Sequence, residues 1–332
     1  MPDQVLKPRV FSGIQPSGGL HLGNYLGAIR NWVRDQDRYE NIFCIVDLHA
    51  ITVPQEPAAL RENTLDLAAV YLASGIKPAQ AMFVQSHVAA HSELAWILDC
   101  FTPMGWLDRM TQFKEKSGKE RERASAGLYT YPALMAADIL LYDTRYVPVG
   151  EDQRQHIELT RDLAQRINQR FGEVFTMPEP MIREAGCRIM GLDDPDKKMS
   201  KSLATSSPGH AIFMLDPPEV IRKKVARAQT DTQPSVRFPA GPGVTNLLEI
   251  YRTIRDSDLE TVRSEFEGKP YSALKQAVAE AVIGALAPIQ ERYREIRKDD
   301  AALMAQLRQA AERLTPTADA TLRRVQQAVG LR

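Results

Sequence analysis

From Arg9 to Ile14, "RVFSGI", the chain reads as a short strand that ends in the Pro/Gly-rich turn "QPSGG". Leu22, Leu26, Ile29 and Val33 then recur at helical spacing, so the chain opens strand, turn, helix. "NIFCIVDLH", from Asn41, is a near-continuous apolar run of strand length, the pattern of a strand covered on both faces. After "ITVPQEP" comes a long helix through Tyr71, and "AQAMFVQS" follows as another buried strand. This alternation predicts an α/β fold, a parallel sheet covered by helices.

From Ser92 to Tyr142 the pattern is mostly helical, interrupted by the charge-mixed "KEKSGKERERAS", Lys114 to Ser125, which reads as a surface loop. "TRYVPVG", from Thr144, returns to the sheet, and "EDQRQHIELTRDLAQRIN" follows as an amphipathic helix. Beyond Ser202 the strand signals nearly vanish. Pro217 to Thr230, Thr245 to Ile254, Tyr271 to Ile296 and Ala301 to Val329 read as helices, with a boundary expected near residues 205–215.

Length agrees with two domains or one large domain with a helical appendage. With 42 Lys and Arg against 42 Asp and Glu, 44% apolar and 25% charged residues, the chain is an ordinary globular one, and any nucleic acid must be held by local patches. Cys44, Cys100 and Cys187 have no metal-site spacing and are expected as buried free thiols, which fits a cytoplasmic protein. No apolar leader is seen, and no run of about 18 apolar residues suggests a membrane span.

Two short stretches carry candidate chemistry. In "SGGLHLGN" the glycines permit close ligand approach, and His21 and Asn24 bring an imidazole and a carboxamide three residues apart; a phosphate cradle and a plain capping turn both fit. "KKMSKS" gathers Lys197, Lys198 and Lys201 with Ser200 and Ser202, groups suited to polyphosphate but also found in solvated loops. In "YTYPALMAADILLY", Tyr131, Met135 and Asp138 fall at i, i+4 and i+7 on one side of a helix. Asp138, flanked by apolar residues, either faces solvent or needs donors in a pocket, where it could accept an N–H. His49 and His156 read as structural, and His87 and His91 lack a third zinc ligand of helical spacing.

The two stretches together resemble the paired signatures of the class I aminoacyl-tRNA synthetases. The first appears as "HLGN", with Asn24 where most of the class has a second histidine, and the second is complete as "KMSKS", Lys198 to Ser202. "SGIQPSGGLHLGNYLGAIRNW", "YPALMAADILLY", "VGEDQRQHIELTRDLAQRIN" and "RIMGLDDPDKKMSKS" are similar, in order and spacing, to the bacterial tryptophan-specific family, and the likeness runs into the helical tail.

The resemblance implies a Rossmann-like catalytic domain over 1–212 with a helical dimerisation insertion at about 90–143, then a helical anticodon-binding domain over 213–300. A C-terminal helix over 301–332 is expected to pack back on the catalytic domain. It implies ATP, with Mg2+, as a substrate held by Gln15, Gly23, Asn24, Asp152, Lys198, Met199, Ser200 and Lys201, and L-tryptophan held by Asp138, Met135, Tyr131, Gln153 and Phe11. Lys198, Lys201, His21 and Asn24 are the catalytic residues so implied, with no zinc or iron–sulfur centre. The partners would be tRNA(Trp) and a second copy of the chain, with no membrane and no DNA.

Arg222, Lys223, Lys224 and Arg227 form the local basic patch of the tail. Trp96, Leu98, Phe101, Met104, Trp106 and Met110 form an apolar cluster, either core or part of a symmetric interface. Tyrosine activation, or a synthetase-like regulatory protein without catalysis, are the alternatives.

Overall fold

A computed structural model describes residues 7–110, 124–150, 153–181, 188–233 and 235–331. Strands β1 (Arg9–Ile14), β2 (Glu40–Ile45), β3 (Ala81–Val84), β4 (Tyr146–Pro148) and β5 (Glu179–Met181) form one parallel sheet in the order β3-β2-β1-β4-β5. The register runs from Arg9 opposite Glu40 to Ile14 opposite Ile45 between β1 and β2. β5 escaped the sequence reading because "EPM" is short and half exposed.

Successive strand residues face opposite sides. Phe43 and Ile45 enter one apolar cluster while Ile42 and Cys44 enter the other. The first side is covered by helix α1, which runs through Leu22–Asn24, a π-helical turn Tyr25–Ile29 and Arg30–Asp35, and by α3 (Pro57–Ala73), which follows the short α2 (Asp47–Ala50). The second side is covered by α4 (Ala90–Phe101), α6 (Ala126–Leu140) and α7 (Arg154–Phe171), with α5 (Met104–Leu107) packed on α6.

Beyond the short α8 (Lys201–Ser206) the tail is helical: α9 (Pro218–Ala226), α10 (Pro242–Arg255), α11 (Leu259–Phe266), α12 (Tyr271–Ile296) and α13 (Asp300–Val329). α13 turns back across β3 and α4, burying Leu314, Ala318, Leu322 and Val325 against the second side of the sheet. At the expected boundary the chain is stitched to the N-terminal turn. The Leu22 N–H donates to the Ile212 carbonyl and the Met214 N–H to the Leu20 carbonyl, each at 2.8 Å. Core residues on both sides of that boundary belong to one apolar cluster.

Three expectations change. Cys44 is buried, but Cys100 is exposed, one turn along α4 from exposed Trp96; Cys187 lies outside the described residues. α12 has the length and mean hydropathy, 1.2, of a spanning helix, because its alanines raise the average. Its larger apolar side chains, Leu274, Val278, Val282, Leu286 and Ile289, are nonetheless packed in the core. The apolar cluster of the insertion also divides: Leu98 and Met110 are buried, while Trp96 is 71% and Met104 65% exposed. The charge-mixed segment from Lys114 lies outside the described residues as far as position 123.

Candidate active site

Strand order reverses between β1 and β4, and in open parallel sheets ligands settle in the crevice beyond the strand ends at such a reversal. A cavity of about 470 Å³ opens there. Phe11, Gln15, Tyr131, Met135, Asp138 and Gln153 all line it, together with His49 and Val147. Residues spread over more than 140 positions thus meet because β1, α6, β4 and the start of α7 converge at this edge. Asp152 lies outside the described residues.

Asp138 is 1% exposed, and its carboxylate is ringed by donors. Oδ1 accepts from Gln85 Nε2 at 2.6 Å and pairs with His91 Nδ1 at 2.6 Å; Oδ2 pairs with His49 Nε2 at 2.8 Å. Burial pushes its carboxyl upward, but the hydrogen bonds and charges of His49 and His91 outweigh that and hold it below the usual aspartate value. A carboxylate has about four lone-pair positions. Among the described residues three are used, which leaves one on Oδ2, the oxygen on the His49 side.

Its supports are themselves fixed. The Gln85 Oε1 accepts from the Leu48 N–H at 3.1 Å, which orients its amide so that the nitrogen faces Asp138. His91 is fully buried, with Nε2 at 2.7 Å from the Tyr142 hydroxyl. His49 and His91, read from sequence as structural or metal candidates, are thus partners of the pocket carboxylate. Gln85 was missed altogether, and its signal was a polar residue ending an apolar strand at the sheet's carboxyl edge.

Phe11 is buried and stacks on Tyr142, with ring centroids 6.0 Å apart and planes at 12°. Tyr131 crosses the His49 ring edge-on, and its hydroxyl lies 2.6 Å from His156 Nε2. Gln15 Nε2 donates to the His49 carbonyl at 3.2 Å, tying the first turn to the wall of the cavity.

Immediately after Gln15 the second half of the site begins. Lys201 Nζ donates to the Gly18 carbonyl at 2.8 Å and approaches Ser17 Oγ at 3.4 Å, so the "KMSKS" loop docks on the N-terminal turn. Burial lowers the Lys201 pKa. Lys198 is exposed, while Lys197 pairs with Asp194 at 2.8 Å and is turned away into that ion pair. Met199 is 1% exposed and its N–H donates to the Ile189 carbonyl, so its side chain anchors the loop in the core. Ser200 caps α8 through Leu203 N–H.

His21 precedes α1, and Asn24 Oδ1 accepts from the His21 N–H at 3.0 Å, which fixes the carboxamide through its oxygen and leaves the amide nitrogen as the donor. A Cβ on Gly23 would come within 3.0 Å of His21 Nδ1, so glycine is needed for the imidazole to lie against the backbone. That Nδ1 is buried without a hydrogen-bond partner among the described residues. Burial, then the charges of Lys201, Lys198 and His210, lower the His21 pKa to about 4.

Proton NMR of the His21 ring should therefore give a midpoint near pH 4 and not the ordinary 6.5, rising when added polyphosphate offsets the two lysines. Because the unfolded imidazole takes up its proton first, the stability His21 confers is full above about pH 6.5 and is lost as pH falls toward 4. An unshifted midpoint near 6.5, insensitive to polyphosphate, would remove His21 from this enclosed position.

Two further residues hold the loop and carried no sequence signal. His210 is buried, with Nδ1 at 2.6 Å from Asp193 and Nε2 at 3.2 Å from the Lys198 carbonyl. Asn246 of α10 clasps the Met190 backbone, accepting from its N–H at 2.9 Å and donating to its carbonyl at 3.0 Å.

The arrangement joins an apolar slot with a buried carboxylate to a glycine-rich turn and two lysines, suited to holding an aromatic N–H donor beside a polyphosphate. Comparison with known proteins agrees. The family described as tRNA synthetases class I (W and Y) matches residues 6–287. The chain is 55% identical over 329 residues to the tryptophan–tRNA ligase of Wolinella succinogenes, covering 98% of this chain and 100% of that one. It is 53% identical over 326 residues to that of Caldanaerobacter subterraneus, covering 97% and 98%. The crystal structure of tryptophanyl-tRNA synthetase from Campylobacter jejuni, complexed with ADP and tryptophan, is 35% identical with a TM-score of 0.86, covering 97% of this chain and 100% of that one. With the family matched over residues 6–287 and the likeness in sequence and fold running over nearly the whole length, the chain belongs to the class I tRNA synthetases and, within them, to the bacterial tryptophanyl-tRNA synthetases.

Proposed function

We infer that the protein joins the carboxylate of L-tryptophan to the α-phosphate of ATP, releasing diphosphate, and then passes tryptophan from the adenylate to the terminal adenosine of tRNA(Trp), releasing AMP. The observation that carries this reading is the cavity at the sheet reversal, lined by Phe11, Gln15, Tyr131, Met135, Asp138 and Gln153, with Lys201 docked on the turn that follows Gln15. The free lone pair of Asp138 Oδ2 receives the indole N–H, with Phe11 and Met135 on the ring. The tryptophan carboxylate is already the nucleophile, so no general base is required. Rate comes from positioning and from cations that meet the charge growing on the leaving diphosphate. His21, held neutral, offers a hydrogen bond without a fixed charge, and Lys198 and Lys201 supply the charge. ATP arrives with Mg2+, which shares that neutralisation when bound.

The division of labour follows the chain: residues 1–212 activate the amino acid, 213–300 meet the anticodon, and 301–332 brace the sheet. Such a role belongs in the cytoplasm. Charging of purified tRNA(Trp) with labelled tryptophan tests the second step, with acylation expected first on the 2'-hydroxyl. Adenylate formation without any charging would favour a regulatory relative.

We also infer a homodimer formed through the insertion, whose exposed Trp96 and Met104 lie beside Cys100 on the surface of α4 and α5. Trp96→Asp is expected to convert dimers to monomers at micromolar concentration in sedimentation, with the far-UV spectrum unchanged. A variant still fully dimeric would move the interface elsewhere.

A further inference from the structure

A second cavity, of about 540 Å³, lies between α9 and α12, lined by Arg222, Ala226, Tyr271, Ser272, Lys275 and Gln276, with Glu280 at its side. α12, 26 residues and so about 39 Å long, is fastened to the catalytic half at its C-terminal end, where Arg292 Nε donates to the Ala73 carbonyl and Tyr293 to Asp66. The cavity occupies the first turns of that helix, facing the end of α9.

Its lining holds unspent hydrogen-bonding capacity. The Tyr271 hydroxyl is buried without a partner among the described residues. Lys275 Nζ donates to the Ala226 and Ala228 carbonyls at 3.0 and 2.7 Å, which leaves its third proton. Ser272 and Gln276 are exposed. On one wall the Arg222 guanidinium and the Glu280 carboxylate form a forked pair, with Nε at 2.8 Å and Nη2 at 3.4 Å from the two oxygens, so the guanidinium plane is held in place.

This corrects the basic patch read from sequence. Arg222 is paired with Glu280, and Lys224 is largely buried, bound to Asp216 at 2.6 Å and to the Ala211 carbonyl at 2.8 Å. Lys223 and Arg227 are exposed, each one position along from the lining residues Arg222 and Ala226. Lys223 and Arg227, four positions apart across the end of α9, therefore make a stripe of two exposed cations.

We propose that this cavity receives one unpaired nucleobase of the tRNA, its edge read by Gln276, Ser272, Tyr271 and Lys275, while Lys223 and Arg227 carry the adjoining phosphates. The inference rests on the reading that the chain charges a tRNA. Mixed donors and acceptors around an aromatic ring and a fixed guanidinium plane suit a heteroaromatic edge and face, which is how unstacked bases are read in RNA. The Glu280 carboxylate disfavours a bare phosphate inside, whereas the stripe outside is suited to one.

The test uses the full chain and tRNA(Trp) transcripts, each with one unpaired base replaced. Ser272→Ala with Gln276→Ala touches exposed residues, and Tyr271→Phe removes a single oxygen, so folding is retained. Expected are unchanged tryptophan-dependent ATP–diphosphate exchange, a KM for tRNA raised about tenfold, and discrimination lost at one base position only. Unchanged KM with every base preference retained would overturn the pocket and leave the synthetase reading standing. Loss uniform over all transcripts, with a shallower salt dependence, would assign these residues to phosphate and also overturn it. A wild-type chain that charges no tRNA would overturn both.

Discussion

Asp138→Ala is expected to weaken tryptophan binding by about 1.5–3 kcal/mol, the worth of a hydrogen bond to a charged group, while ATP binding changes far less. Alanine also strands the donors of Gln85, His91 and His49, of which the first two are fully buried. Each buried donor left unmatched costs about 1–3 kcal/mol of stability, so the alanine variant should unfold earlier in denaturant as well. Asp138→Asn separates the two effects. Its carbonyl oxygen can stay with Gln85 and His91, and its amide can donate to His49 if that ring changes tautomer, but the group facing the cavity is then a donor that repels the indole N–H. Calorimetric titration of both ligands should find tryptophan binding lost in the asparagine variant with most of the folding stability retained. Equal loss for tryptophan and ATP would remove Asp138 from the amino-acid pocket.

Lys198→Ala and Lys201→Ala should each slow adenylate formation by about 10²–10³, the usual cost of one group aimed at transition-state charge, with tryptophan affinity changed far less. Lys201 also ties its loop to Gly18, so its loss should loosen the docked arrangement, whereas exposed Lys198 has no such tether among the described residues. Lys198→Ala is the cleaner probe of charge for that reason. Rapid-quench measurement of the first turnover, before any tRNA is added, checks both. Normal activation followed by slow transfer to tRNA would assign the lysines to the second step.

Much of this was legible along the chain, because a buried parallel sheet leaves continuous apolar runs and amphipathic helices leave a 3.6-residue period. Arg9–Ile14 and Tyr271–Ile296 were read at their observed bounds, and β3 and α7 close to theirs, while the reading of β2 as "NIFCIVDLH" overran into α2 at Asp47. What failed to register has physical causes. β5 is three residues long, and the π-helical turn at Tyr25–Ile29 has the same side chains as an ordinary helix. Lys224 and Arg222 looked like a cationic surface because sequence shows charge but not the carboxylate opposite. Phe11, Gln15, Tyr131, Met135, Asp138 and Gln153 of the cavity lining were named from the family resemblance. The supports were not, since Gln85, His91 and Asn246 act on residues about fifty positions away and His210 on one twelve away, and no local pattern marks such a partner. Asp138 itself was flagged by the cost of burying a carboxylate among Ala137, Ile139 and Leu140, and the three donors around it are how the fold meets that cost.

Amino-acid-dependent exchange of labelled diphosphate into ATP, run with each of the twenty amino acids and the wild-type chain, tests the central claim most directly. A pocket whose single open lone pair awaits an indole N–H predicts rapid exchange with tryptophan and, at equal concentration, exchange with tyrosine and phenylalanine lower by orders of magnitude, because one lacks the donor and the other carries its hydroxyl elsewhere. Exchange supported by tyrosine but not tryptophan would contradict the account.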